Sequence, residues 1–189
     1  MKDQVPSGKR RKGKILRILA WVALGISPLV TIVTLVYVSI PDFDGEPHLA
    51  DEELIGTFHS HQADFDRLLQ MVLQNKQLTR VDDDWTEPRD PKTIGVSEER
   101  VAEYRKLFRV LGIKHGFSAP QNRDHVQFLA STRGWVSHGS EKGYLYAIVI
   151  PDHLGPVRDS LDQLGFGKRP IGSGCRHIQG NWYLYFSGD

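Results

Sequence analysis

The sequence predicts an α+β domain behind an N-terminal transmembrane helix, with two main helices packed on a largely antiparallel sheet. Three observations carry this expectation. An uncharged apolar run fills residues 18–40, helical periodicity governs the chain up to Gly112, and alternation with period two governs it beyond His115. Helices early and adjacent strands late are the pattern of a segregated α+β architecture. The expected boundaries are a basic tail at 1–17, a transmembrane helix at 18–40, a linker at 41–50 and one domain at 51–189.

The tail holds Lys2, Lys9, Arg10, Arg11, Lys12, Lys14 and Arg17 against one acid, Asp3, a charge of +6. Since the whole chain carries +1, everything after residue 17 carries −5. Binding to nucleic acid rests mainly on neutralising phosphates, so an acidic domain is a poor partner for it. The run ILAWVALGISPLVTIVTLVYVSI, from Ile18 to Ile40, has 23 residues and no charge. At 1.5 Å per residue it spans about 34 Å, enough for a hydrocarbon core of about 30 Å. It outruns the apolar core of a cleavable signal peptide, about 7–15 residues, and the exit Tyr37-Val38-Ser39-Ile40 is a poor cleavage site. An uncleaved signal-anchor in the lipid bilayer is therefore expected.

Pro28 removes a backbone donor mid-span and kinks the helix. Trp21 and Tyr37 fall near its ends, where amphipathic rings favour the headgroup level. Ala23 and Ser27 make a small-residue pair that suits a homodimer, although such pairs are frequent in any apolar helix. Lysine and arginine at a helix end stay cytoplasmic, and the other flank offers Asp42, Asp44, Glu46, Asp51, Glu52 and Glu53. The expected location is the inner (plasma) membrane, single-pass, with the C-terminal domain in the periplasm or outside the cell.

The linker segment Pro41–Pro47, with two prolines and a glycine, stops the anchor from running into the domain. Leu54, Phe58, His61, Phe65, Leu68 and Val72 recur at spacings of three and four, predicting one helix over 51–75 with acids in its first turn. Leu78–Val81 reads as a short strand and Asp82–Pro91 as a polar loop. A second helix starts at Ser97 as N-cap, carries Val101, Tyr104, Phe108 and Leu111 on one face, and stops at Gly112. Val126–Ser131, Trp135–His138 and Tyr144–Ile150 read as three strands, with turns at Thr132–Gly134 and Gly139–Gly143. Pro156 suits the first position of a short helix through Leu164. Gly165–Gly174 reads as a loop, and Cys175–Ile178 with Trp182–Phe186 as a terminal hairpin around Gln179-Gly-Asn181.

The ending RHIQGNWYLYF, together with the upstream Lys142-Gly-Tyr144, resembles a group of small uncharacterised bacterial membrane-anchored proteins and lipoproteins. The likeness covers residues 60–187 and excludes the anchor. It implies a bacterial envelope setting and brings no activity, cofactor or site residue with it.

Candidate chemistry is sparse. His59 and His61, two residues apart, point about 200° apart on a helix, so they do not converge on a metal. A packed His61 at a helix–sheet contact is the better expectation. Asp82, Asp83, Asp84 and Glu87 fail the calcium-loop pattern, because Glu87 stands where glycine is needed. No cofactor motif, P-loop or metalloprotease signature occurs, and Gly172-Ser-Gly174 lacks a following helix to cradle phosphate. Cys175 and His177 would share a face in a strand, which leaves a weakly signalled hydrolase as an alternative, although nothing nearby offers an orienting group or an oxyanion site.

The remaining feature is aromatic. Tyr144 with Tyr146, and Tyr183 with Tyr185, each fall on one side of their strand and are expected to line the sheet face away from the helices. Tyrosine gives rigid contact area with a polar tip, which suits binding, though it is equally at home on an ordinary half-exposed sheet. The expectation is a non-enzymatic envelope protein whose domain binds a protein or envelope ligand. A further alternative is an accessory subunit of a membrane complex held through its transmembrane helix.

Overall fold

The computed structural model describes residues 47–135, 138–164 and 172–188, so the expected tail and transmembrane helix lie outside the described residues. Among the described residues no helix is long and apolar enough to cross a membrane. The domain is α+β, with three helices packed on a seven-stranded antiparallel sheet. Helices α1 (Asp51–Ser60) and α2 (Gln62–Gln74) stand where one helix was expected. The break at His61 has a local cause. Thr57 and Ser60 turn their hydroxyls back to the carbonyls of Glu53 and Gly56, at 3.0 and 2.8 Å, competing with the helical ladder just before it stops. His61 sits half-exposed at this junction, with Nδ1 3.3 Å from Asp64 Oδ2, rather than packed against the sheet.

The apolar stripe survives the break. Phe58 and Phe65 meet at 5.1 Å between ring centroids, and both pack on Trp182, at 5.4 and 5.7 Å. Helix α3 (Glu98–Leu111) follows its expected caps. The Ser97 hydroxyl accepts from the Arg100 amide, and Gly112 takes the left-handed conformation (φ 66°) that ends a helix cheaply. Its Val101, Tyr104, Phe108 and Leu111 are all buried.

The strands are β1 (Arg80–Val81), β2 (Thr86–Glu87), β3 (Phe117–Ser118), β4 (His125–Trp135), β5 (His138–Ala147), β6 (Gly172–Gln179) and β7 (Trp182–Gly188), in the order β2-β1-β3-β4-β5-β7-β6. Three expected strands are thus one long hairpin. Thr132, Arg133 and Gly134, expected as a turn, continue the ladder opposite Glu141, Ser140 and Gly139. Gly143, expected in the second turn, is a strand residue at a close crossing. A Cβ there would stand 2.0 Å from the Phe128 carbonyl oxygen, next to the bulge between Leu129 and Ser131.

Strand β5 ends at Ala147, which frees Ile148, Val149 and Ile150 from the sheet. The expected helix after Pro156 is absent. Instead a 3-10 turn spans Asp152–Leu154, and the chain then pairs with the edge of β6, Arg158 N donating to Cys175 O at 2.7 Å and Cys175 N to Pro156 O at 3.0 Å. An open strand edge offers backbone partners that outweigh local helix preference. The sheet is therefore covered on both faces. The helices cover one over the main core, and residues 148–158 cover the other over a smaller cluster of Leu129, Leu145, Ala147, Leu154, Cys175 and Tyr185.

Candidate functional site

The β5–β7 register decides the fate of the tyrosines. Tyr144 lies opposite Leu184 and Tyr146 opposite Trp182, while Leu145 lies opposite Tyr183. Cross-strand partners share a face, so Tyr144 and Tyr146 point to the helices and Tyr183 and Tyr185 to the other side. Tyr144 is buried against Phe65, at 4.6 Å between rings, and donates to the Leu54 carbonyl at 3.1 Å. Tyr185 is fully buried in the smaller cluster. The four do not form one exposed surface, which corrects the expected platform.

Cys175 is buried beneath the back cover and donates to the Leu154 carbonyl at 3.8 Å. Burial pushes its thiol up to about 11, so the nucleophilic thiolate is scarce at neutral pH. His177 is exposed, its Nε2 at 3.0 Å from the Gly180 carbonyl and its ring edge-on to Tyr183. Neither residue is poised to activate the other. Among the described residues no group of three or more histidine, cysteine or carboxylate side chains converges as a metal site.

Two other places carry polar chemistry, one at each end of the β4–β5 hairpin. At the proximal pole, where the chain enters the domain, His48 bridges both strands. Its Nδ1 is 2.6 Å from Ser131 Oγ and its Nε2 2.8 Å from Ser140 Oγ, with the ring edge-on to Phe186. Beside it, Lys142 is only 2% exposed. Its Nζ donates at 2.8 Å to the Leu49 carbonyl and to Asp162 Oδ1, and stands at ion-pair distance, 2.8 Å, from Asp51 Oδ1. Asp51 Oδ2 accepts from Leu161 N at 2.7 Å, Ser160 Oγ at 3.1 Å and Arg176 Nη1 at 3.2 Å. Arg176 also holds Glu52, at 2.7 Å.

The electrostatics follow from this packing. Burial alone would raise the Asp51 carboxyl, but the bonds from Lys142, the Leu161 amide and Ser160 reverse that and hold it below the usual carboxylate range. Burial, with Lys142 and Arg133 nearby, lowers His48 to about 4, so the ring is neutral at pH 7. The Ser140–His48 separation is that of a nucleophile and its base. The rest of a catalytic unit is missing, because His48 Nδ1 meets a hydroxyl instead of a carboxylate and Ser131 and Ser140 are 8% and 5% exposed. The arrangement is a clamp that fixes residues 48–51 to the sheet. One signal of it was legible. Lys142 shares strand parity with Tyr144 and Tyr146, and a charge on a buried parity demands partners.

At the distal pole Asp124, His125, Ile148, Val149, Ile150, Pro151, Asp152 and His153 line a cleft of about 700 Å³. Ile148 and Val149 are 72% and 75% exposed. The rings of His125 and His153 stand 6.1 Å apart at 64°. Burial and the neighbouring His153 lower His125, against the opposing pull of Asp124. Sequence reasoning missed this cleft because it carried the strand on to Ile150, a reading in which alternate residues are buried. No protein-family model, curated protein or solved structure matches the chain, so the site is read from its own geometry.

Proposed function

We propose that this chain is a single-pass, membrane-anchored envelope protein, non-enzymatic, whose domain binds a protein partner through the distal cleft. The observation that carries the reading is the exposure of Ile148 and Val149, at 72% and 75%, beside a concave lining. Large aliphatic side chains left this open, next to a concavity, suit a contact surface. Their position supports the same reading. From Ser131 to His125 the strand rises about 20 Å, so the cleft lies far from the point where His48 pins the incoming chain.

The apolar run at 18–40, the basic tail and the resemblance to bacterial membrane-anchored proteins support the anchor, the cytoplasmic N-terminus and the extracytoplasmic domain. The test is site-specific photo-crosslinking in intact membranes. A photoreactive residue at Val149 is expected to capture a discrete partner, and the pair Ile148→Ser and Val149→Ser, with the photoreactive residue moved to His153, is expected to lose it. Undiminished capture by the serine pair would sink the cleft as the binding surface.

A further inference from the structure

We infer that the distal cleft takes a basic, aliphatic-flanked peptide segment, in which a lysine or arginine sits next to residues such as leucine or valine. This rests on the cleft being the binding surface and adds the chemistry of the occupant. Two features meet in it. The apolar part is Ile148, Val149 and Ile150, released from the sheet where Asn181 O takes the Ala147 amide and β5 stops. The charged part is Asp152 and Asp124, whose Oδ2 accepts from Asn122 Nδ2 and whose second oxygen is left for a partner's donor. The cleft lining itself contains no lysine or arginine. The lining thus sets two carboxylates, and neither a lysine nor an arginine, beside an apolar wall.

An aliphatic partner side chain covers Ile148 and Val149, and the neighbouring ammonium or guanidinium answers the two carboxylates. An acidic segment or an anionic lipid surface meets like charge there, and a polar basic segment leaves the aliphatic pair in water.

The experiment uses the full-length chain in phosphatidylcholine nanodiscs, with isoleucine δ1 methyls labelled for NMR. Three short capped peptides are titrated, alternating leucine with lysine, leucine with glutamate, and serine with lysine. The Leu/Lys peptide is expected to shift the Ile148 and Ile150 methyls and to bind about tenfold more tightly than either of the others. The double variant Asp124→Asn and Asp152→Asn is expected to lose about that tenfold while its other methyl resonances stay in place, which separates lost charge from lost fold. Equal binding of the Leu/Glu peptide, equal binding of the Ser/Lys peptide, or no shift with any peptide would overturn the inference. So would shifts caused by phosphatidylglycerol vesicles, which make a lipid surface the occupant, or shifts that grow with protein concentration alone, which make it a second copy. If the serine pair still abolishes membrane cross-links while no peptide moves these methyls, the binding reading stands and the basic occupant falls.

Discussion

Lys142 and Asp51 are the two residues whose removal the domain should tolerate least. Both are buried, at 2% and 0% exposure, and each is the other's counter-charge. A buried pair of this kind need not add net stability, but removing one member leaves an uncompensated charge and costs about 3–5 kcal/mol. Lys142→Met is therefore expected to destabilise the domain by about that amount, read as a lowered denaturant midpoint at unchanged slope. A loss below about 1 kcal/mol would show that Arg176, already paired with Asp51 Oδ2, compensates that carboxylate without Lys142. His48 makes a pH-dependent contribution of known sign. Its folded value, about 4, lies below its ordinary 6.5, so the unfolded chain binds the proton more readily. The contribution is fully present above pH 6.5 and falls away as pH drops from 6.5 towards 4. Because Asp51 titrates lower and His125 shifts the same way, the clean measurement is a difference. The stability gap between the native chain and His48→Gln is expected to shrink between pH 7.5 and 5, and a constant gap would remove His48 as its cause.

At the scale of elements, the sequence was most legible where a cap or a period acts alone. Ser97 and Gly112 bound α3 as expected, because their signals, a hydroxyl acceptor and a left-handed glycine, are local. The terminal hairpin of β6 and β7 was legible from its turn and alternating aromatics, although both strands run longer than expected. The failures share one cause, a local signal overruled by a distant partner. Gly134 and Gly143 look like turn residues but sit inside a paired ladder, Gly143 because a Cβ would strike the Phe128 carbonyl. Pro156 looks like a helix start, yet the edge of β6 claims the backbone around it. The candidate sites follow the same rule. Strand alternation correctly grouped Tyr144 with Tyr146 and Tyr183 with Tyr185, but only the cross-strand register says that the pairs face opposite ways. The clamp joins His48, Asp51, Ser131, Ser140, Lys142 and Asp162, which no short-range pattern links.

The domain is unevenly covered on the two faces of its sheet, and this has a measurable consequence. One face carries three helices and the aromatic core built around Phe58, Phe65, Tyr144 and Trp182. The other is covered by residues 148–158, which hold on through a small cluster and the two backbone bonds between Pro156, Arg158 and Cys175. Segments with few buried contacts open at less cost than the whole fold. The same segment carries Ile148 and Val149, so opening the cover would also displace the cleft wall. Cys175, the chain's single cysteine, lies beneath this cover and reports its opening, since a thiol raised to about 11 and shielded from solvent reacts only when exposed. Maleimide labelling of Cys175 is expected to outpace the rate that global stability allows, and to depend little on denaturant at low concentration, because opening the cover exposes little surface. Labelling that tracks the circular-dichroism unfolding transition, with the full global slope, would show instead that the cover and the helical layer unfold as one unit. Lys142→Met separates the two cases within one chain. The Lys142 Nζ sits on the helical face, so the substitution should lower global stability by more than it speeds sub-global labelling of Cys175, which the Arg176–Asp51 contact couples only weakly to the clamp.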